Sequence, residues 1–346
     1  SVGHGKLAVD MATLCMGFLS LTQFTTTLND LFGAQFGRVF GGSELKRRLA
    51  VAITVLPLCL ARDLSALKHT SMLGFAAVIY SAGFVAVRCI DGSYHPGGKF
   101  YGLPTGADLA GIAKVSPAPP IGAWAFGWGS LSYVGSLNTA YNNHLNVPAY
   151  WRTFAKGSVD RLATRRGFKL LTYLSFGFAA LVYMIVLTCG TFTFRDVGLQ
   201  GLLLLQYAAA DPGAQIMRFA TLLSVLTCFP LFFQNLRDIA ASVFLRKAKP
   251  EPNEKSAVAM VLLALISTAS VFAQDAAQIL AINGSLMGNL VIFTLPAIYS
   301  IAARRRAGDN AIGGPLKQHT MAALIALALY GAVSSVLGTK AALKNS

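Results

Sequence analysis

The polar residues of this apolar chain are concentrated in a few places, and the densest lies between Trp124 and His144. There Gly127, Gly129 and Gly135 alternate with Ser130, Ser132, Ser136, Asn138 and Thr139. At membrane depth, backbone that leaves helical geometry must be packed in protein or line a cavity, because hydrocarbon offers its N–H and C=O groups no partner. Freed backbone groups beside small hydroxyls and amides suit a zwitterion held near the bilayer midplane. The same small residues also let two helices approach closely. Composition favours the cavity, and both readings remain open at this point.

A second cluster, Ser224, Thr227, Cys228 and Pro230, stands in an otherwise apolar run. Hydroxyls beside a proline either ligate a cation such as Na⁺ or replace the backbone bonds that the proline removes, and the second use is the commoner. Arg237 and Asp238 follow near the end of that run, where a local ion pair is the simpler reading and a gate the sharper one. Farther on, Asn283-Gly284-Ser285 and Gly288-Asn289 interrupt another apolar run and can hinge or pack. Asn283-Gly-Ser also fits a glycosylation acceptor, but its apolar surroundings speak against that use.

Enzyme chemistry is not indicated. His4, His69, His95, His144 and His319 stand apart from one another, and neither a zinc-protease helix motif nor a phosphate-binding glycine loop is present. The five cysteines include no Cys-x-x-Cys pair, so neither a zinc site nor a dense disulfide framework is expected. Cys89 and Cys189 map near the outer ends of their helices, where a disulfide is geometrically conceivable in an oxidising compartment; free buried thiols are the simpler expectation.

The elements that must hold these groups follow from composition. Only 12% of the 346 residues are charged, about half the share of an ordinary soluble domain. The net charge of +15 sits in short basic clusters between long apolar runs. That is the pattern of membrane loops and not of a nucleic-acid-binding face. About 20 apolar residues cross a bilayer as a helix, and nine segments are expected to do so: 6–32, 48–61, 67–87, 122–142, 168–192, 214–245, 256–273, 276–303 and 319–338. The second is the weakest, with a short apolar stretch bracketed by Lys46-Arg47-Arg48 and Arg62-Asp63. Residues 91–120, rich in Pro and Gly, are expected to form an external loop without a helix. Nine crossings put 18 Lys and Arg on one side and 11 on the other, which places the richer side, including Arg152, Lys156, Arg161, Arg165, Arg166 and Lys169, in the cytosol. Those polybasic stretches can also serve as lipid-headgroup patches. The chain starts at Ser1 with no cleavable signal peptide in view, so it is expected to begin partway through a larger protein.

Two local patterns carry a resemblance. His144-Leu-Asn146-Val-Pro148-Ala-Tyr150-Trp151 resembles the His-x-Asn-x-Pro-x-aromatic-aromatic signature that closes the sixth transmembrane helix in the amino acid/auxin permease family. The stretch from Leu56-Pro57 through Arg62 and Thr70-Ser71 to Gly74 resembles that family's junction between its fourth and fifth helices. Arg218 and the Thr227–Arg237 stretch with Pro230 resemble its eighth. The resemblance covers essentially the whole chain and includes sodium-coupled neutral amino acid transporters.

It implies an all-α polytopic membrane protein, a single transporter domain over 1–346 with the leucine-transporter-type inverted-repeat fold, its first segment corresponding to the family's third helix. The first two helices are then absent, one of them a member of the unwound pair that binds substrate, and the chain is expected to hold half a binding site. By the same resemblance Ser132, Gly135, Ser136 and Asn138 lie near the break in the sixth helix and meet an amino acid's charged ends. Asn143, His144 and Asn146 follow toward the cytosolic exit. Thr227 and Cys228 match the stretch that supplies a cation-ligating hydroxyl for Na⁺, although sulfur is a poor sodium ligand. Thr153 stands where the family often has an acidic residue, which leaves a gating salt bridge there unsupported.

The implied function is secondary active amino acid transport across the bilayer, driven by a Na⁺ or H⁺ gradient through alternating access, with no cofactor beyond the coupling ion and no nucleic-acid partner. The plasma membrane and the vacuolar or lysosomal membrane are the expected locations. An amino acid sensor without net flux is the alternative, and a structural membrane subunit the third reading.

Overall fold

Apolar runs in a bilayer can satisfy their backbone groups only internally, so they form helices. The computed structural model describes residues 2–60, 68–111, 130–141, 147–156, 160–194, 202–247, 251–272, 276–307 and 318–344. Among them the helices run in order α1 (Val2–Phe40), α2 (Glu44–Leu60), α3 (Lys68–Ile90), α4 (Gly106–Ala110), α5 (Ser130–Ala140), α6 (Val147–Phe154), α7 (Arg161–Thr193), α8 (Leu203–Gln206), α9 (Pro212–Phe244), α10 (Pro252–Phe272), α11 (Ala276–Asn283), α12 (Leu295–Ala307) and α13 (Gln318–Lys344). Two π-helical turns, Gly284–Gly288 and Leu290–Thr294, join α11 to α12. One isolated bridge, Thr105 to Ala208, is the extent of β-structure among the described residues.

Among the described residues, seven helical stretches are long and apolar enough to span a membrane: Leu7–Gly37, Met72–Ile90, Ala163–Thr193, Pro212–Phe244, Pro252–Phe272, Ala276–Ala303 and His319–Leu343. One of these, Ala276–Ala303, has the bounds read from sequence. Two of the nine expected crossings are not among them. The second is α2, a 17-residue helix whose first turn carries Glu44, Lys46, Arg47 and Arg48. The fourth is described only over Ser130–Ala140.

The segment 91–120, expected to form a loop without a helix, corrects one expectation. Within its described part, α4 forms because Thr105 and Asp108 make a reciprocal capping box and Gly111 closes the turn at a φ of 69°. Five residues of helix therefore fit between the prolines; residues 112–120 lie outside the described residues.

The chain divides into two compact units. The first comprises Ser1–Thr26, Phe126–Asn142 and Phe232–Ser346, and the second Thr27–Ala125 and Asn143–Leu231. The second unit is built around an aromatic core of Phe84, Tyr94, Phe100, Phe194 and Tyr207, with Ala214 and Met217 of α9. Ring centroids of Tyr94, Phe84 and Phe194 lie 5.0 Å from Tyr207 or nearly so, in edge-on pairs that suit aromatic quadrupoles. Tyr94 and Phe100 come from the loop that follows α3, which thereby forms part of the core. In the first unit, α5 and α13 both pack on the α11 and π-helical region. Along α1, the hydroxyls of Thr22, Thr25 and Thr26 each donate to the carbonyl four residues back, at 2.9, 2.8 and 3.1 Å. This keeps buried polar groups satisfied without a distant partner.

Candidate functional site

In the first unit the small residues of α5 and the polar interruption after α11 meet. Gly135 is buried, and a Cβ there would overlap Ser285 Oγ and come within 2.7 Å of the Ser285 backbone nitrogen. The reverse contact is as close: a Cβ on Gly284 would overlap the Gly135 carbonyl and Thr139 Oγ1. Absence of side chains at both positions is what lets the helices touch. Alongside, Asn138 Nδ2 donates to Asn289 Oδ1 at 2.5 Å, and Asn289 Nδ2 donates to the Ser285 carbonyl at 2.9 Å. Asn283 Nδ2 donates to Ser20 Oγ of α1 at 2.9 Å.

The π-helical side of this polar seam is nearly sealed. Asn283 and Ser285 are 0% exposed and Asn289 is 1% exposed. Asn283 Oδ1 and Ser285 Oγ are left without a hydrogen-bond partner, an arrangement that costs about 1–3 kcal/mol for each group. The π-helical turns put the polar groups here. Each π turn bonds five residues back, as Asn289 N–H does to the Gly284 carbonyl, and such turns concentrate at functional positions and hinges. On the far side, Gly331 of α13 admits Thr294, Phe293 and the Asn289 carbonyl, where a Cβ would stand 2.9 Å from Phe293 Cβ.

The sequence-derived binding residues fall on this unit in part. Gly135 and Asn138 are in the seam. Ser132 and Ser136 stand one turn apart on α5, and Ser136 is half-buried. Asn143, His144 and Asn146 lie outside the described residues. The two asparagines and the serine of the interruption, assigned only to hinging or packing from sequence, are the most buried polar groups of the seam. Ser20 was not singled out at all; its signal was the hydroxyl-rich stretch Ser20–Thr27 within the first apolar run.

The second unit holds the candidate cation ligands. Thr227 Oγ1 donates to the Ser224 carbonyl at 2.9 Å within α9, one turn ahead of Pro230. A hydroxyl that donates keeps its lone pairs, so this local bond leaves Thr227 able to ligate a cation while Cys228 adds only a soft, half-buried sulfur.

A charge network that sequence reading missed secures the N-terminus of α9. Asp211 is 0% exposed, caps α9 through Gly213 N–H at 2.9 Å, and pairs with Arg88 at 2.8 Å. Tyr94 OH donates to its other oxygen at 2.9 Å and accepts from Ala208 N–H at 3.1 Å. Burial pushes the Tyr94 phenol well above its usual range, which keeps it a donor. Arg218, 1% exposed, donates to the carbonyls of Tyr207 at 3.1 Å and Ala208 at 3.3 Å. Its work is to fold the 202–211 segment over α9. The local signal was Asp211-Pro212-Gly213, an N-cap followed by a first-turn proline.

Two smaller expectations resolve. Arg237 pairs with Asp238 at 3.2 Å, and Lys255 joins the same carboxylate at 3.2 Å, a local surface network. Cys89 of α3 and Cys189 of α7 are both free, on helices that pack against each other.

A family model described as transmembrane amino acid transporter protein matches residues 3–340. The chain is similar to "Putative sodium-coupled neutral amino acid transporter 11" of Danio rerio, at 21% identity over 304 residues, covering 85% of this chain and 61% of that protein. It is also similar to "Sodium-coupled neutral amino acid transporter 7" of Xenopus laevis, at 24% identity over 310 residues, covering 85% of this chain and 60% of that protein. The chain thus spans about three fifths of the length of these curated relatives. With a match from residue 3 to residue 340 over a set of membrane-length apolar helices, the chain belongs to the transmembrane amino acid transporter protein family.

Proposed function

We propose that the protein is a secondary active amino acid transporter that works by alternating access and is driven by a Na⁺ or H⁺ gradient. The observation that carries this reading is the family match over nearly the whole chain. The names of the two relatives make neutral amino acids the first substrates to test and Na⁺ the first ion. A nine-crossing, leucine-transporter-type arrangement is part of the same proposal, as is residence in the plasma membrane or a vacuolar or lysosomal membrane.

The substrate groups proposed here are Ser132, Gly135, Ser136 and Asn138 of α5, followed by Asn143, His144 and Asn146. The buried seam adds a physical reason for choosing this helix. Asn283 Oδ1 and Ser285 Oγ are acceptors with no donor, so an ammonium group, or a rearranged α5, that supplies one is favoured by the bonds it completes. Gly135 allows α5 to move against the π-helical turns without a side chain in the way. Thr227, with Cys228 beside it, is the proposed ligand for Na⁺ as a co-transported substrate.

Uptake of labelled neutral amino acids into liposomes holding the full-length natural protein tests the ion assignment. With Na⁺ as the driver, an imposed Na⁺ gradient accelerates uptake and Thr227→Ala raises the Na⁺ concentration needed by about tenfold or more, in line with the loss of one ligand to an ion. Acceleration by a proton gradient alone, with Thr227→Ala unchanged, assigns H⁺ and removes Thr227 from the site.

A further inference from the structure

The junction of α6 and α7 forms an open cleft of about 480 Å³ in the second unit, lined by Val147, Trp151, Phe168 and Tyr173 with Arg165 and Lys169 among the walls. Trp151 meets Phe168 edge-on with centroids 5.2 Å apart, and Lys169 Nζ lies 5.6 Å from the Tyr173 ring centroid. Arg165 and Lys169 are exposed and stand four residues apart, so they share one face of α7.

Neither basic side chain has an ion-pair partner among the described residues. Between 152 and 169 there are six Lys and Arg and one carboxylate, Asp160. That carboxylate caps the start of α7 through Ala163 N–H at 3.1 Å. The helix itself is committed to lipid: only 6% of its apolar span is buried in protein, the lowest share among the seven spans. At about 46 Å for its 31 residues it also exceeds the hydrocarbon thickness, so one end reaches the headgroup layer. Aromatic rings with Lys and Arg at that depth are what an interface selects.

We infer that this cleft binds one anionic glycerophospholipid of the surrounding leaflet, its phosphate held by Arg165 and Lys169 and its first acyl carbons laid against Trp151 and Phe168. The rings supply an apolar trough for chains, and the two cations on one helix face supply the charge that a zwitterionic lipid does not need. Six basic residues against one carboxylate give the surface the charge complement of an anionic headgroup and not of a cationic or neutral ligand.

The test is native mass spectrometry of the full-length natural protein released from bilayers of phosphatidylcholine containing graded phosphatidylglycerol. The wild type is expected to retain phosphatidylglycerol at a mole fraction at least tenfold below that needed for phosphatidylcholine. Arg165→Gln with Lys169→Gln is expected to lower that retention roughly 10- to 30-fold, from the loss of two cations near the surface. Arg165→Lys with Lys169→Arg is expected to keep most of it and shows that the fold tolerates change there. Trp151→Ala is expected to weaken retention of both lipids, and Arg305→Gln, a basic residue outside the cleft, to change neither. Equal retention of the two lipids in the wild type overturns the inference. So does an equal fall in the Arg305 variant, which means diffuse charge, or displacement by glycerol phosphate as effectively as by the lipid, which means an anion site without chain recognition.

Discussion

Gly135 and Gly284 face each other with no room for a methyl group: a Cβ on Gly284 would strike the Gly135 carbonyl, which cannot rotate away, and one on Gly135 would meet Ser285 Oγ first and the Ser285 backbone nitrogen behind it. Gly135→Ala and Gly284→Ala should therefore each lower stability by about 1–3 kcal/mol through overpacking, with Gly284→Ala the more severe because its Cβ would strike the Gly135 carbonyl. Thermal unfolding of the purified variants checks this, and an unchanged Gly284→Ala midpoint would contradict the contact. In the charge network at the start of α9 the relevant group is Asp91. Burial raises its pKa, but bonds from Ser93 N–H at 2.9 Å and from Arg88 at 2.6 Å outweigh it, so the carboxyl titrates below its ordinary value. A depressed carboxylate stabilises the fold above its unfolded pKa, near 4, and the contribution is lost as pH falls through the lower folded value. The Asp91 contribution should accordingly be constant from pH 8 to pH 5 and disappear only below about 4. Comparing the unfolding midpoints of wild type and Asp91→Asn across that range measures it; a difference that vanishes between pH 7 and 5 would refute the assignment. The cap at Asp211 was readable from the proline that follows it, whereas its pairing with Arg88, 123 residues earlier in the chain, has no local signal.

At the scale of elements, the seam depends on the paired asparagines of α5 and the π-helical turns. Asn138, half-buried, and Asn289, buried, share one hydrogen bond at 2.5 Å. Alanine at either position should cost stability, and the double variant should cost less than the sum, with a coupling of about 0.5–3 kcal/mol. A double-mutant cycle by chemical denaturation in detergent gives the number, and strict additivity would mean the two amides do not act together. The interruption Asn283-Gly284-Ser285 with Gly288-Asn289 was visible in the sequence as a break in an apolar run. Its π geometry was not, because widening of the helix is stabilised by what packs on both sides, Gly135 and Gly331, which lie about 150 and 45 residues away in sequence. α4 was missed for a related reason: the six glycines and five prolines of residues 91–120 masked the Thr105–Asp108 capping box that starts it. Hydropathy placed the long helices because the bilayer demands about 20 apolar residues from each. It was weakest at α2, where 17 residues begin with three cations.

For the whole molecule, family membership, helical architecture and repeated membrane crossing agree with one property of the chain, long apolar runs separated by short stretches that hold most of its charges. The substrate assignment within it rests on α5. The most direct measurement is uptake of a labelled neutral amino acid pool by the full-length natural protein in liposomes, with and without Na⁺ and H⁺ gradients, compared with variants carrying Trp at Ser132 or Ser136. The account predicts gradient-dependent uptake that both bulky variants abolish, read in variants whose unfolding midpoint confirms that they are folded. Uptake that persists in both folded variants would remove α5 from the substrate path, and a folded wild-type protein that moves no amino acid under either gradient would contradict the transporter reading itself.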